Sequence, residues 1–233
     1  MICAALALSA CTTPAEIPPT LPSGASKAPQ VNTSATVAQQ RRFARIIAAV
    51  EPVAEAECKK RTRKGSNCDF QIAIDDRNPK APANAYQTLL RDGTPLLAFN
   101  LALLASVKND HELAFVMGHE AAHHIQGHIQ RKQTNAVLGA VLLGTLAAVA
   151  GAGDAGMRAA QDVGAQVGAR TYSKSFELEA DRLGTAITAK AGYDPVRGAT
   201  YFTRIPDPGN KFLGTHPPNA ARIEAVRKAA AGL

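Results

Sequence analysis

Between Asn109 and His128 the chain reads NDHELAFVMGHEAAHHIQGH, and this stretch decides how the rest is read. Asn109 with Glu112 three residues on is a helix-opening pair, so one long helix is expected from His111 to about Lys132. On it His119 and His123 stand at i and i+4 and share a face. Two imidazoles so placed can reach one metal ion at about 2.0–2.1 Å. Glu120 lies about 100° round the helix, where its carboxylate can reach a water at the metal without being a ligand. Five of the six histidines fall between His111 and His128, which marks this segment as a site.

A catalytic centre of this kind needs a third protein donor. The pattern HExxHxxGxxH would require Gly at 126 and His at 129, where the chain has Gln126 and Ile129; Gly127 and His128 are displaced by one. The better candidate is Phe176-Glu177-Leu178-Glu179-Ala180-Asp181. Glu177 and Asp181 share one helix face at i,i+4, so Glu177 can be the third ligand while Asp181 hydrogen-bonds a ligand histidine. Glu179, about 200° from Glu177, faces elsewhere. By spacing alone the three acids also fit an ordinary solvated face. His124 and His128 read as structural or solvated residues, and His111 as exposed.

Working outward, apolar residues recur at helical spacing from Val37 to Lys59, with Pro52 expected to kink or interrupt that helix. Phe70, Ile72 and Ile74 alternate with Gln71, Ala73 and Asp75, as in a half-buried strand. Ala85–Leu90 and Pro95–Phe99 flank Asp92-Gly93 and form a hairpin. Pro95 lacks an N–H, which places its strand at a sheet edge. A short helix follows over Leu101–Val107, another over Ser173–Ala191, and two more over Pro195–Ile205 and Pro217–Ala230. Ala136–Ala150 is almost wholly apolar and reads as a packed helical hairpin or cap, too short to span a bilayer. Gly151–Gly168 reads as a mobile cover over the site. Helices round a small antiparallel sheet make an α+β domain.

The whole chain has 233 residues, 46% of them hydrophobic, and a net charge of +7. That excludes global disorder and suits one catalytic-sized domain with a tail. No apolar run reaches the roughly 20 residues of a membrane-crossing helix. Residues 1–10 are small and apolar and run into Cys11, and Leu8-Ser9-Ala10-Cys11 resembles the bacterial lipobox. The expectation is a signal segment over 1–10, lipidation at Cys11, a flexible tether over 11–36 and one domain over 37–233. A lipidated chain faces an oxidising compartment, where Cys58 and Cys68 pair as a disulfide. The enclosed run KKRTRK is a solvated loop, or a contact for anionic lipid.

Taken together, the motifs resemble those of the gluzincin peptidases related to the CAAX-prenyl protease, Oma-type and BepA-like proteins. The residues that carry the likeness are HExxH at His119–His123, ExxxD at Glu177–Asp181 with Arg182-Leu183-Gly184, Asp110-His111-Glu112-Leu113-Ala114, Gly192-Tyr193-Asp194-Pro195 and Thr215-His216-Pro217-Pro218. They span about Phe70 to Val226 in the expected order. The resemblance implies a zincin-like fold, one zinc ion per chain on His119, His123 and Glu177, and Glu120 as general base, in a periplasmic lipoprotein form without a tetratricopeptide domain. His216, beside an open zinc position, could occupy the fourth coordination position as a plug or donate to the oxyanion; the resemblance implies the plug. The activity expected is a zinc endopeptidase of the cell envelope, lipid-anchored, facing the periplasm at the outer membrane. Its substrates would be misfolded or misassembled envelope proteins, drawn along the strand at Pro95–Phe99, with outer-membrane assembly machinery as a partner and no nucleic acid. The rival reading is a chaperone-like or adaptor lipoprotein with little proteolysis.

Overall fold

A computed structural model describes residues 35–171, 173–211 and 214–233; Cys11, the signal segment and all of the tether but its last two residues lie outside them. Helix α1 (Val37–Arg61) opens on Thr36, whose hydroxyl accepts from Gln39 N while the Gln39 side chain accepts from Thr36 N. It runs unbroken through Pro52. Phe43, Ile46, Val50, Ala54 and Cys58 recur at helical spacing and are buried, so core packing holds the axis where the proline removes one backbone bond. Cys58 forms a disulfide with Cys68, tying the end of α1 to the segment that enters the sheet.

The sheet contains β1 (Gln71–Asp75), β2 (Ala85–Leu89) and β3 (Pro95–Asn100) in the order β1-β3-β2. The expected hairpin is present: β2 pairs antiparallel with β3 round Gly93, which adopts φ 85°. The sheet is mixed, however, because β1 pairs with β3 in parallel. Pro95–Phe99 is therefore a central strand and not an edge. Pro95 is tolerated there as the first residue of the strand, where the ladder loses least from its missing N–H. Leu97, Ala98 and Phe99 are buried, and Phe43 of α1 meets Phe99 edge-on at 5.3 Å between centroids.

After α2 (Leu101–Ser106), the long helix anticipated to Lys132 is two helices, α3 (Asp110–Ile125) and α4 (His128–Val149). Gly127 breaks them apart in the left-handed region, φ 63°, which glycine adopts without a Cβ penalty. Asn109 caps α3 by accepting from Glu112 N, and Glu112 in turn accepts from Lys108 N at 2.7 Å. Gly151–Gly168 is not a loose cover: α5 (Asp154–Thr171) occupies most of it and pairs with α4 as a hairpin. Helix α6 (Ser173–Lys190) packs along α3, α7 (Pro195–Ala199) and a 3-10 turn follow, and α8 (Asn219–Ala230) lies against α6.

Candidate metal centre

Helices α3 and α6 cross at glycines. A methyl group on Gly184 would sit 2.9 Å from His119 N, and one on Gly118 would sit 3.0 Å from Gly184 O. Only hydrogen at both positions lets the backbones approach this closely. That approach sets Glu177 and Asp181, both on α6, against His119 and His123.

The ligand atoms of His119, His123 and Glu177 all lie within 4.8 Å of one another. His119 Nε2 and His123 Nε2 are 3.0 Å apart, and the Glu177 oxygens stand 3.6 and 3.4 Å from them. Each imidazole is fixed from behind. His119 Nδ1 meets Asp181 Oδ1 at 2.9 Å. His123 Nδ1 meets His128 Nδ1 at 2.8 Å. With both Nδ1 atoms engaged, both Nε2 atoms face one point, and a cation there would find two imidazoles and a carboxylate. The donor set fits zinc.

Two supporting groups had no clear signal in the sequence. Arg222 on α8 is buried, holds Asp181 through two nitrogens at 2.8 and 2.7 Å, and stacks 4.0 Å over the Phe202 ring. It also lies 3.5 Å from Glu177 Oε2. His128 is structural, as expected, but its task is specific. It stacks on Phe176 and reaches Glu179 Oε2 at 3.4 Å, while Arg131 binds the same carboxylate at 2.6 Å. Glu179 does face away from Glu177's partners, yet it steadies His123 through His128. His124 Nε2 meets Asn67 O at 2.8 Å, and His111, half-buried, accepts from Asp194 N at 2.9 Å.

Burial dominates the electrostatics. It pushes the Glu120 carboxyl up to about 7, opposed in part by the charges of His119 and Arg222 and, least, by a hydrogen bond from the backbone of Gln87 on β2. It pushes His123 down to about 3, with the charge of His119 adding to the effect. Burial would lower His119 too, but hydrogen bonds to Asp181 and Glu177 outweigh it and raise the ring to about 9. Burial would raise Glu177 and Asp181, yet both are held low: Glu177 by His119 and His216, Asp181 by Arg222 and His119. His216, 54% exposed in its side chain, brings Nδ1 to 3.2 Å from Glu177 Oε2. All of these groups except Asp181 line a cleft of about 740 Å³, whose far wall is Ala85, Tyr86 and Gln87 of β2.

Residues 40–230 match the model of peptidase family M48. The beta-barrel assembly-enhancing protease of Yersinia pestis is 31% identical over 146 residues, covering 55% of this chain and 29% of that protein. A Vibrio cholerae serotype O1 protein assigned the same role is 35% identical over 148 residues, 58% of this chain and 30% of that one. The mitochondrial metalloendopeptidase OMA1 of Bos taurus is 31% identical over 143 residues, 52% of this chain and 26% of its own. The chain thus spans less than a third of these relatives in the aligned part. Since the family match covers most of the chain and takes in both the HExxH helix and the helix of Glu177, the protein belongs to peptidase family M48.

Proposed function

We propose that this chain is a zinc-dependent endopeptidase of the bacterial envelope that cleaves misfolded or misassembled envelope proteins. The observation that carries the reading is the convergence of two back-held imidazoles and Glu177 beside a buried Glu120. His119, His123 and Glu177 would hold one zinc ion per chain, which supplies a Lewis acid that acidifies water and polarises a carbonyl. Asp181 and Arg222 orient His119; His128 and Glu179 orient His123. Glu120 takes the proton as water attacks the peptide carbonyl, and then gives it to the leaving amine. Its elevation by burial matches that double duty, because a base near 7 both accepts and returns a proton.

Since β3 is interior, an extended substrate would pair with the free edge of β2, the strand that lines the cleft and donates from Gln87. The relatives named beta-barrel assembly-enhancing proteases motivate the envelope substrates, the periplasmic setting and a partnership with outer-membrane assembly machinery. Lipidation at Cys11 would hold the chain on the membrane, and palmitate incorporation lost in Cys11→Ser checks it. A chaperone-like or adaptor role would leave the buried Glu120 without a task.

Glu120→Gln should retain zinc and lose at least about a hundredfold in cleavage of an unfolded reporter such as casein. Wild-type cleavage by that variant would sink the mechanism. His216, held by Glu177 at the mouth of the site, would act as a plug in the resting enzyme or as an oxyanion donor. His216→Ala separates the two: higher basal cleavage marks a plug, and lower kcat at unchanged KM marks a donor.

A further inference from the structure

The α4–α5 hairpin is packed inside out. Its inner seam is made mostly of small residues, with the Gln161 side chain against Gly144: a methyl group on Gly139 would collide with the Gly164 carbonyl, and one on Gly168 with the Asn135 carbonyl. Gly164 and Gly168 are four apart, the spacing that lets helix backbones touch when no large side chains fill the gap. The large apolar residues point outward instead. Val137, Leu138, Val141 and Leu142 are each 60–62% exposed, and Leu146 and Val149 continue the ridge. A soluble helix hides such a stripe against its core; here the rest of the described body leaves it open.

Helix α4 is also long and apolar enough to cross a membrane, with 22 residues, which corrects the expectation that no such segment exists. Three features decide between occupants. The segment from Gln133 to Gly153 carries no charged residue, whereas Arg170 and Lys132, the latter also bordering the cleft, are exposed at the open end of the hairpin. Basic residues flanking an aliphatic ridge are complementary to anionic headgroups. The ridge contributes no residue to the cleft and has no aromatic side chain, so it lacks the groove and anchors with which polypeptides are gripped. Finally, Asp154, Arg158 and Asp162 are exposed on α5, and burying them in hydrocarbon would be costly, which favours a place at headgroup level over a span.

We infer that the outer face of α4 is a membrane-contact surface, lying in the interface of a bilayer rich in anionic lipid. This stands apart from the peptidase reading, since none of its residues touches the metal centre.

The test uses the full chain with Cys3→Ser and Cys11→Ser, so that neither acylation nor stray labelling intervenes. An environment-sensitive fluorophore on Leu142→Cys should shift to the blue with vesicles of phosphatidylethanolamine and phosphatidylglycerol. Lipids brominated high on the acyl chain should quench it. The same fluorophore on Lys228→Cys of α8 should not respond. Adding Leu138→Glu and Val141→Glu should weaken partitioning about tenfold or more, while hydrolysis of a soluble peptide stays unchanged. No response at Leu142→Cys on vesicles overturns the inference. So does a blue shift that appears on concentrating the protein without lipid, which would mean a second copy covers the face. A shift produced only by unfolded casein would assign the ridge to polypeptide clients and equally overturn it.

Discussion

Two pairs of helices in this protein use one device for opposite ends. At α3–α6 and at α4–α5, glycines remove the side chains from a crossing and let backbones meet. Around the first crossing the two helices pack on the sheet, α1, α7 and α8, and charged groups gather beside it: Asp181, Arg222, His119 and Glu177. Around the second the glycines meet backbone at Gly139, Gly164 and Gly168 and the Gln161 side chain at Gly144, and the large aliphatic side chains are left outside. A close crossing therefore does not itself make a core. What matters is whether a third layer covers the helices, since covering turns the seam into a low-dielectric site and its absence turns the outer face into a contact surface.

The largest effect that tests this contrast is expected at Gly184→Ala. The new methyl would press on the backbone at His119, in a region that cannot expand without separating Glu177 from the histidines. Overpacking of this kind costs about 1–3 kcal/mol, and zinc affinity should fall with stability, read by a thermal melt and a chelator competition. An unchanged melt and unchanged affinity would show that the crossing is looser than its geometry.

Acid should separate the same two regions more gently. The buried Glu112 is held below its ordinary value: burial opposes, but Arg204, 2.6 Å away, and the Lys108 N–H prevail. A carboxyl whose folded pKa is depressed gives stability that is full above its unfolded value near 4.5. That stability drains away as pH falls from there through the folded value. The body should lose melting temperature below about pH 4.5, and Glu112→Gln, already destabilised, should show a shallower slope in that window. Equal slopes would remove Glu112 from the acid response.

The smallest effect is expected at Gly139→Ala. The methyl would force α4 and α5 apart, yet their other main contacts run only to α3 and α6, where the chain enters and leaves the hairpin. The melt of the body and the hydrolysis of a soluble peptide should stay near wild type, with loss confined to hydrogen-exchange protection in the hairpin. A loss of activity matching that of Gly184→Ala would erase the distinction between the two crossings.

Much of the metal centre was legible before any fold was known, because its spacing is helical. The i,i+4 separations of His119–His123 and Glu177–Asp181 are rules of a single helix and need no neighbour. Asn109 and Asp92-Gly93 likewise announced a helix start and a turn through local backbone chemistry. What crosses between elements was hidden. Nothing local told β3 to lie between β1 and β2, and Pro95 suggested the reverse, since its missing N–H matters only if a partner stands at that point of the ladder. Arg222 carries no mark in the sequence, and only the packing of α8 buries it against Asp181. The glycines of α5 read as a loose segment by intrinsic propensity, although the spacing of Gly164 and Gly168 was available as a sign of close helix pairing. Tertiary structure made those decisions because strand order, burial of an ion pair and helix contact depend on residues distant in the chain, and only packing supplies the partner.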